Sequence, residues 1–165
     1  MEIIRAKHMG FCFGVSGAIE TCYNVLKETE NLGKKIYILG MLVHNEFVVK
    51  KLEKEGFETI EEEDILKKRD KLKSGDIVII RAHGTSEKVY NMLKEKNIKI
   101  YDATCIFVTQ IRKTLIEMEA KGYEILFVGD KEHPEVKGII SFGKNIQVFK
   151  NLEEILKAEI KKDKK

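Results

Sequence analysis

Tryptophan is absent from this 165-residue chain, proline occurs once, at position 134, and cysteine occurs three times. With one proline and no Gly/Ser-rich or low-complexity stretch, composition marks no linker between domains. No run of about 18 apolar residues occurs. The N-terminus, MEIIRAKHMGFCFG, lacks the basic-then-apolar pattern of a secretory leader. These absences predict a soluble, cytoplasmic protein with no membrane partner. An odd number of cysteines does not make a secreted disulfide framework, and reduced thiols, structural or metal-binding, fit better. Charge of one sign is missing too. The 30 Lys+Arg and 27 Asp+Glu are spread along the chain and give a net charge of +3, which offers no reason to expect a nucleic-acid partner.

What the chain does have is regular alternation. Short β-branched runs at 36–39, 77–80, 98–101 and 125–128 have the composition of buried strands. Helical patterns cover roughly 15–29, 46–55, 86–96, 107–121 and 151–161, with Ser86 and Asn151 as N-caps. Strands alternating with helices predict an α/β fold with parallel sheets. In such sheets ligands gather at the carboxyl ends of the strands, so the residues just after each apolar run are the ones to examine.

The chain also resembles itself. Ile36-Tyr37-Ile38-Leu39-Gly40, three residues, then His44-Asn45-Glu46 and Val48, reappears as Ile125-Leu126-Phe127-Val128-Gly129, three residues, then His133-Pro134-Glu135-Val136. Upstream, Glu2-Ile3-Ile4 precedes Cys12 and a helix as Lys99-Ile100-Tyr101 precedes Cys105 and a helix. Downstream, Phe57-Glu58-Thr59-Ile60 and an acidic run match Gln147-Val148-Phe149 and Asn151-Leu152-Glu153-Glu154. The pattern is two copies of a unit of about 90 residues. The division expected is 1–97 and 98–165, with the N-terminal strand free to pack with a third unit. In the first copy the acidic helix leads into a strand, 77–80, that delivers Arg81-Ala82-His83-Gly84; the second copy reaches Lys165 before the matching strand.

Chemistry-bearing residues fall at repeat-equivalent positions. Cys12, between glycines, and Cys105 each sit before a helix, where the positive helix end favours a thiolate. Cys22, ten residues into the first helix, shares neither face nor depth with Cys12 and reads as core. Two thiols do not complete a structural zinc site, whereas an iron–sulfur cluster draws on cysteines distant in sequence. A third copy of the unit would supply a further cysteine beyond Lys165. His44, His83 and His133 follow three of the strands in short loops. Together they suit an anionic group such as phosphate, and they are also potential metal ligands. Glu135, two residues after His133, would have a raised pKa in a closed pocket and could pass protons. His8 and the lysine-rich end, 161–165, carry no such support.

Taken together, GFCFGV with Ala18-Ile19-Glu20, LVHNEFVV after its LG, RAHGTS, DATCIFVT and HPEVKG resemble, in order and spacing, the motifs of the 4-hydroxy-3-methylbut-2-enyl diphosphate reductase family. The resemblance covers essentially the whole chain. It implies a trefoil of three α/β lobes around a [4Fe-4S] cluster, with Cys12 and Cys105 as two of three cysteine ligands and the third outside this chain. It further implies that His44, His83 and His133 bind the substrate diphosphate and that Glu135 donates a proton. The implied reaction is a two-electron, two-proton removal of a hydroxyl from an allylic diphosphate, giving isopentenyl and dimethylallyl diphosphate, with a ferredoxin or flavodoxin-type electron donor. Ile106 stands where the family usually has proline. The chain lacks the third cysteine and the Thr-, Ser- and Asn-bearing motifs of the last lobe, so it supplies only two lobes, the second incomplete. The alternative is a non-enzymatic two-lobed module that binds a phosphorylated ligand or a metal through the histidines.

Overall fold

The computed structural model describes residues 2–30 and 32–158. In chain order the elements are α1 (Phe13–Thr29), β1 (Ile36–Leu39), α2 (Glu46–Lys54), β2 (Glu58–Ile60), α3 (Glu62–Leu66), β3 (Ile77–Ile80), α4 (Glu87–Glu95), β4 (Lys99–Asp102), α5 (Ile106–Ala120), β5 (Ile125–Val128), α6 (Pro134–Ile140), β6 (Ile146–Phe149) and α7 (Leu152–Lys157). They build two wholly parallel sheets, one of four strands in the order β2-β1-β3-β4 and one of two, β5-β6.

The first sheet is parallel because its central strands are apolar on both faces. Every residue of Ile36-Tyr37-Ile38-Leu39 and of Ile77-Val78-Ile79-Ile80 is buried, as a sheet covered on both sides requires. Alternate side chains divide between two cores. Ile36, Ile38, Ile77 and Ile79 face α1 and α2, meeting Ala18, Cys22, Val25, Val48 and Leu52. Tyr37, Leu39, Val78 and Ile80 face α3 and α4, meeting Ile65, Val89 and Leu93. The α1 contacts recur at helical spacing, Ala18, Cys22, Val25 and Thr29, and that stripe fixes the face it buries.

The sheets and the sequence repeats are out of phase. The strand at the head of the second repeat, β4, pairs with β3, with Ile77 opposite Lys99 and Ile80 opposite Asp102. It thus closes the first sheet, and the boundary between the two sheets lies after Asp102. The matching N-terminal run, Glu2-Ile3-Ile4, is not a strand. Ile3 and Ile4 are 74% and 85% exposed, and a strand's backbone groups need a neighbouring strand, which this run lacks among the described residues.

The second unit repeats the first from β5 onward: β5-α6-β6-α7 follows β1-α2-β2-α3, again with parallel pairing. Ile125, Phe127 and Ile146 pack under Val108, Leu115 and Ile139 of α5 and α6. Leu126 and Val128, on the opposite face of β5, are exposed. Among the described residues no strand occupies the side of β5 that corresponds to β3's place beside β1.

Asn151 caps α7 as the sequence predicts, its side chain accepting from Glu154 N at 3.0 Å. Ser86 does not cap α4 with its hydroxyl, which donates to Glu62 Oε1 at 2.9 Å instead. The tail from 159 onward, including the lysine-rich end, lies outside the described residues.

Candidate functional site

The carboxyl ends of β1, β3 and β4 are joined beyond the strands themselves. Ala82 N donates to Leu42 O (3.1 Å), Ala103 N to Ile80 O (3.1 Å) and Cys105 N to Ala82 O (2.9 Å). Three strand-exit loops therefore run side by side, carrying His44, His83 and Cys105. An open pocket of about 280 Å³ lies here, lined among others by Phe11, Val15, Val43, His44, Ala82 and His83. Its place is the one expected for ligands of a parallel sheet.

Cys12 and Cys105 are the N-cap residues of α1 and α5, at the positive ends of two long helices. Their sulfurs meet across Gly14. A Cβ at Gly14 would fall 2.6 Å from Cys105 Sγ, 3.3 Å from Cys105 Cβ and 4.0 Å from Cys12 Sγ. Both sulfurs therefore lie within 4.0 Å of that one point. Phe13 and Phe107, in the first turns of the two helices, pack edge-to-face with ring centroids 5.1 Å apart, and Cys12 beside them is exposed. Cys105 is further fixed by Asp102, whose Oδ1 accepts from Thr104 N at 3.0 Å. Asp102 Oδ2 in turn accepts from Tyr90 OH at 2.7 Å, and Arg112 of α5 reaches both, Nη1 donating to Tyr90 OH at 3.4 Å and Nη2 lying 3.8 Å from Asp102 Oδ2. Cys22 is fully buried under α1, and burial, with Glu55 adding to it, pushes its thiol up to about 12. It is a core residue, as its position in the helix predicts.

The donor set fits part of an iron–sulfur site. Two thiols, each on a helix N-terminus, flank one glycine, a setting suited to an anionic sulfur-ligated group. Among the described residues no group of three or more His, Cys, Asp and Glu side chains is arranged to hold a metal ion.

Of the three histidines, two are in direct contact. The His44 and His83 rings lie 4.4 Å apart at 43°. Burial pulls the His83 pKa from 6.5 down to about 4, and the neighbouring positive groups of His44, Arg81 and His133 press in the same direction. His133 caps α6: its Nδ1 accepts from Glu135 N at 3.2 Å. That bond places the neutral ring's proton on Nε2, free to face a ligand. Pro134 follows at the first helical position, where a missing N–H costs nothing. Glu135, in the first turn of α6, is half-buried.

His83 makes stability pH-dependent. It stays neutral in the folded chain down to about pH 4, whereas in the unfolded chain it charges below about 6.5. Its contribution is complete above pH 6.5 and is lost as pH falls toward 4. For a half-exposed ring the loss is about 1–2 kcal/mol after solvent screening. Urea midpoints at pH 7.5 and 4.5 are expected to converge in His83→Gln relative to the unsubstituted chain; an unchanged difference would refute this.

Sequence reasoning missed Gly14's part in the sulfur contact, the Asp102–Tyr90–Arg112 brace and the side-chain contacts of Arg81. Arg81 and Asp102 stand inside the RAHGTS and DATC motifs, but their roles are contacts between distant segments.

Comparison with known proteins agrees with this arrangement. The family model described as LytB protein matches residues 3–165. The chain is 55% identical over 164 residues to the 4-hydroxy-3-methylbut-2-enyl diphosphate reductase of Fusobacterium nucleatum subsp. nucleatum, covering 99% of this chain and 19% of the relative. It is 46% identical over 139 residues to that of Thermoanaerobacter sp., covering 84% of this chain and 46% of the relative. Among solved structures, that of (E)-4-hydroxy-3-methyl-but-2-enyl diphosphate reductase, the terminal enzyme of the non-mevalonate pathway, superposes with a TM-score of 0.77 at 36% identity. It covers 93% of this chain and 52% of that one. The E-1-hydroxy-2-methyl-but-2-enyl-4-diphosphate reductase from Plasmodium falciparum gives a TM-score of 0.83 at 34% identity, covering 96% and 48%. The chain thus spans about half the length of these solved structures and less than half of the two curated relatives. With a match running from residue 3 to residue 165, this chain belongs to the LytB protein family.

Proposed function

We propose that this chain forms two lobes of a cytoplasmic 4-hydroxy-3-methylbut-2-enyl diphosphate reductase, repeats 1–97 and 98–165, the second lending its leading strand, β4, to the sheet of the first. Such an enzyme reductively removes the hydroxyl of an allylic diphosphate to give isopentenyl and dimethylallyl diphosphate. The observation that carries this reading is that the β4 exit loop, ending in Cys105 with Cys12 across Gly14, is hydrogen-bonded to the β3 exit loop, which sets His83 against His44.

Each residue has a role its position supports. Cys12 and Cys105 would hold two corners of a [4Fe-4S] cluster, the third cysteine coming from outside the described residues. When bound, that group supplies electrons, delivered by a ferredoxin or flavodoxin-type donor, and a Lewis-acidic iron. His44, His83 and the Nε2–H of His133 would hold the diphosphate by hydrogen bonds to its oxygens. An anion beside His83 would offset the positive field of its neighbours and favour the protonated ring. Glu135, beside His133 on α6, would hold the proton delivered to the leaving hydroxyl.

Calorimetric titration of the chain with inorganic diphosphate tests the histidine assignment. A charge-assisted hydrogen bond is worth about 1.5–3 kcal/mol. His83→Asn and His44→Asn are therefore expected to weaken binding at least about tenfold. Diphosphate binding unaffected by both would overturn the assignment. Zinc titration of the chain and of Cys12→Ser and Cys105→Ser separates this reading from the two-lobed binding module, because metal binding indifferent to both cysteines favours the module.

A further inference from the structure

Arg81 is the first residue beyond β3, and its side chain meets Gly40, Gly84 and Glu62. The guanidinium lies against Gly40, the first residue beyond β1, so closely that a Cβ there would fall 2.6 Å from Nη1. Gly40 has φ +65°, so the position excludes a side chain on both conformational and spatial grounds. Four residues after Gly40 the same loop presents His44.

On its own loop Arg81 encloses His83. Gly84 N donates to Arg81 O at 2.9 Å, closing the turn that carries His83. From its side chain, Arg81 Nε donates to Gly84 O at 3.3 Å. The far end of the guanidinium reaches Glu62 at the start of α3, with Nη2 to Oε2 at 3.5 Å, and Glu62 Oε1 accepts from Ser86 Oγ at 2.9 Å. The Arg81 and Glu62 side chains are only 16% and 25% exposed, so the pair is held in a partly desolvated place where geometry counts.

We propose that Arg81 is a positioning residue that clamps the His44 and His83 loops into a single anion-binding arrangement, with Glu62 fixing the orientation of its fork. One planar guanidinium packs on the β1 exit, hydrogen-bonds the β3 exit and is tethered to α3. A lysine ammonium carries the same charge but has neither the planar surface nor the fixed pair of donors. The inference rests on the reading of His44 and His83 as diphosphate ligands, and it adds a residue that touches no ligand yet sets their geometry.

The test uses the 165-residue chain, its Arg81→Lys and Glu62→Gln variants, and two readouts. The first is the nuclear Overhauser contact between the His44 and His83 ring protons without ligand. The second is calorimetric affinity for inorganic diphosphate. Arg81→Lys is expected to lose the ring contact and to weaken diphosphate at least about tenfold, with the helical circular-dichroism signal retained. Because the charge is kept, a loss of this size reports geometry. Arg81→Lys with the ring contact intact and affinity within about twofold of the unsubstituted chain would overturn the proposal. If Arg81→Lys does not fold, Glu62→Gln decides: a weakened ring contact and a severalfold loss of affinity support the clamp, and no change in either overturns it. If the unsubstituted chain binds no diphosphate, the diphosphate reading fails, and the ring contact alone decides whether Arg81 sets the histidine pair.

Discussion

Anaerobic reconstitution of this chain with iron and sulfide is expected to yield no full, stable [4Fe-4S] complement. Iron should be substoichiometric and lost on desalting, with neither the visible charge-transfer absorbance nor the electron paramagnetic resonance signal of an intact cluster. The reason lies in the thiols. Cys12 and Cys105, on the caps of two helices, would supply two ligands. Cys22 cannot become the third, because it is fully buried with its thiol pushed up to about 12 and only the thiolate is an effective ligand. A stable cluster at full occupancy on this chain alone would show that the two-ligand account is wrong.

Gly14→Ala is expected to be nearly as damaging to the thiol pair as removal of a cysteine. The added methyl would lie 2.6 Å from Cys105 Sγ and 3.3 Å from its Cβ. A sulfur alone could swing aside, but the Cβ contact ties the clash to the α5 cap itself. Bridging of the two thiols by a trivalent arsenical, which bonds two nearby sulfurs and releases water, should fall by at least about tenfold. Gly17→Ala makes a fair control, because a Cβ there meets nothing within 4 Å. Equal bridging in both variants would remove Gly14 from the account.

Which features could be read from the sequence follows from how local their causes are. Strands β1 and β3 were legible because every residue is apolar and buried, and α2 and α4 because Val48–Leu52 and Val89–Leu93 repeat at helical spacing. Strand β2 was obscure: it has three residues, and Glu58 and Thr59 are exposed. Helix α6 was obscure too, since Pro134 and Gly138 are poor helix formers; His133's Nδ1 and the burial of Val136, Gly138 and Ile139 hold it in place. The expected strand before Cys12 failed for a non-local reason, the want of a partner strand, which β4 finds in β3.

The site divides in the same way. Cys12, Cys105, His44 and His133 stood out because the internal repeat aligns them, and His83 because it sits just after a strand. That His44 touches His83, and that the two sulfurs share one glycine, depends on where β1, β3 and β4 leave the sheet. Arg81 and Asp102 act on residues in other loops and helices, at sequence distances no local pattern records.

Intact-mass titration with phenylarsine oxide tests most directly the claim that Cys12 and Cys105 form one two-thiol site. The account predicts a single adduct that survives excess monothiol, with both cysteines protected from alkylation. The adduct should persist in Cys22→Ser and disappear in Cys12→Ser and in Cys105→Ser. An adduct insensitive to either of the last two substitutions, or two thiols that alkylate independently with no bridged species, would contradict it.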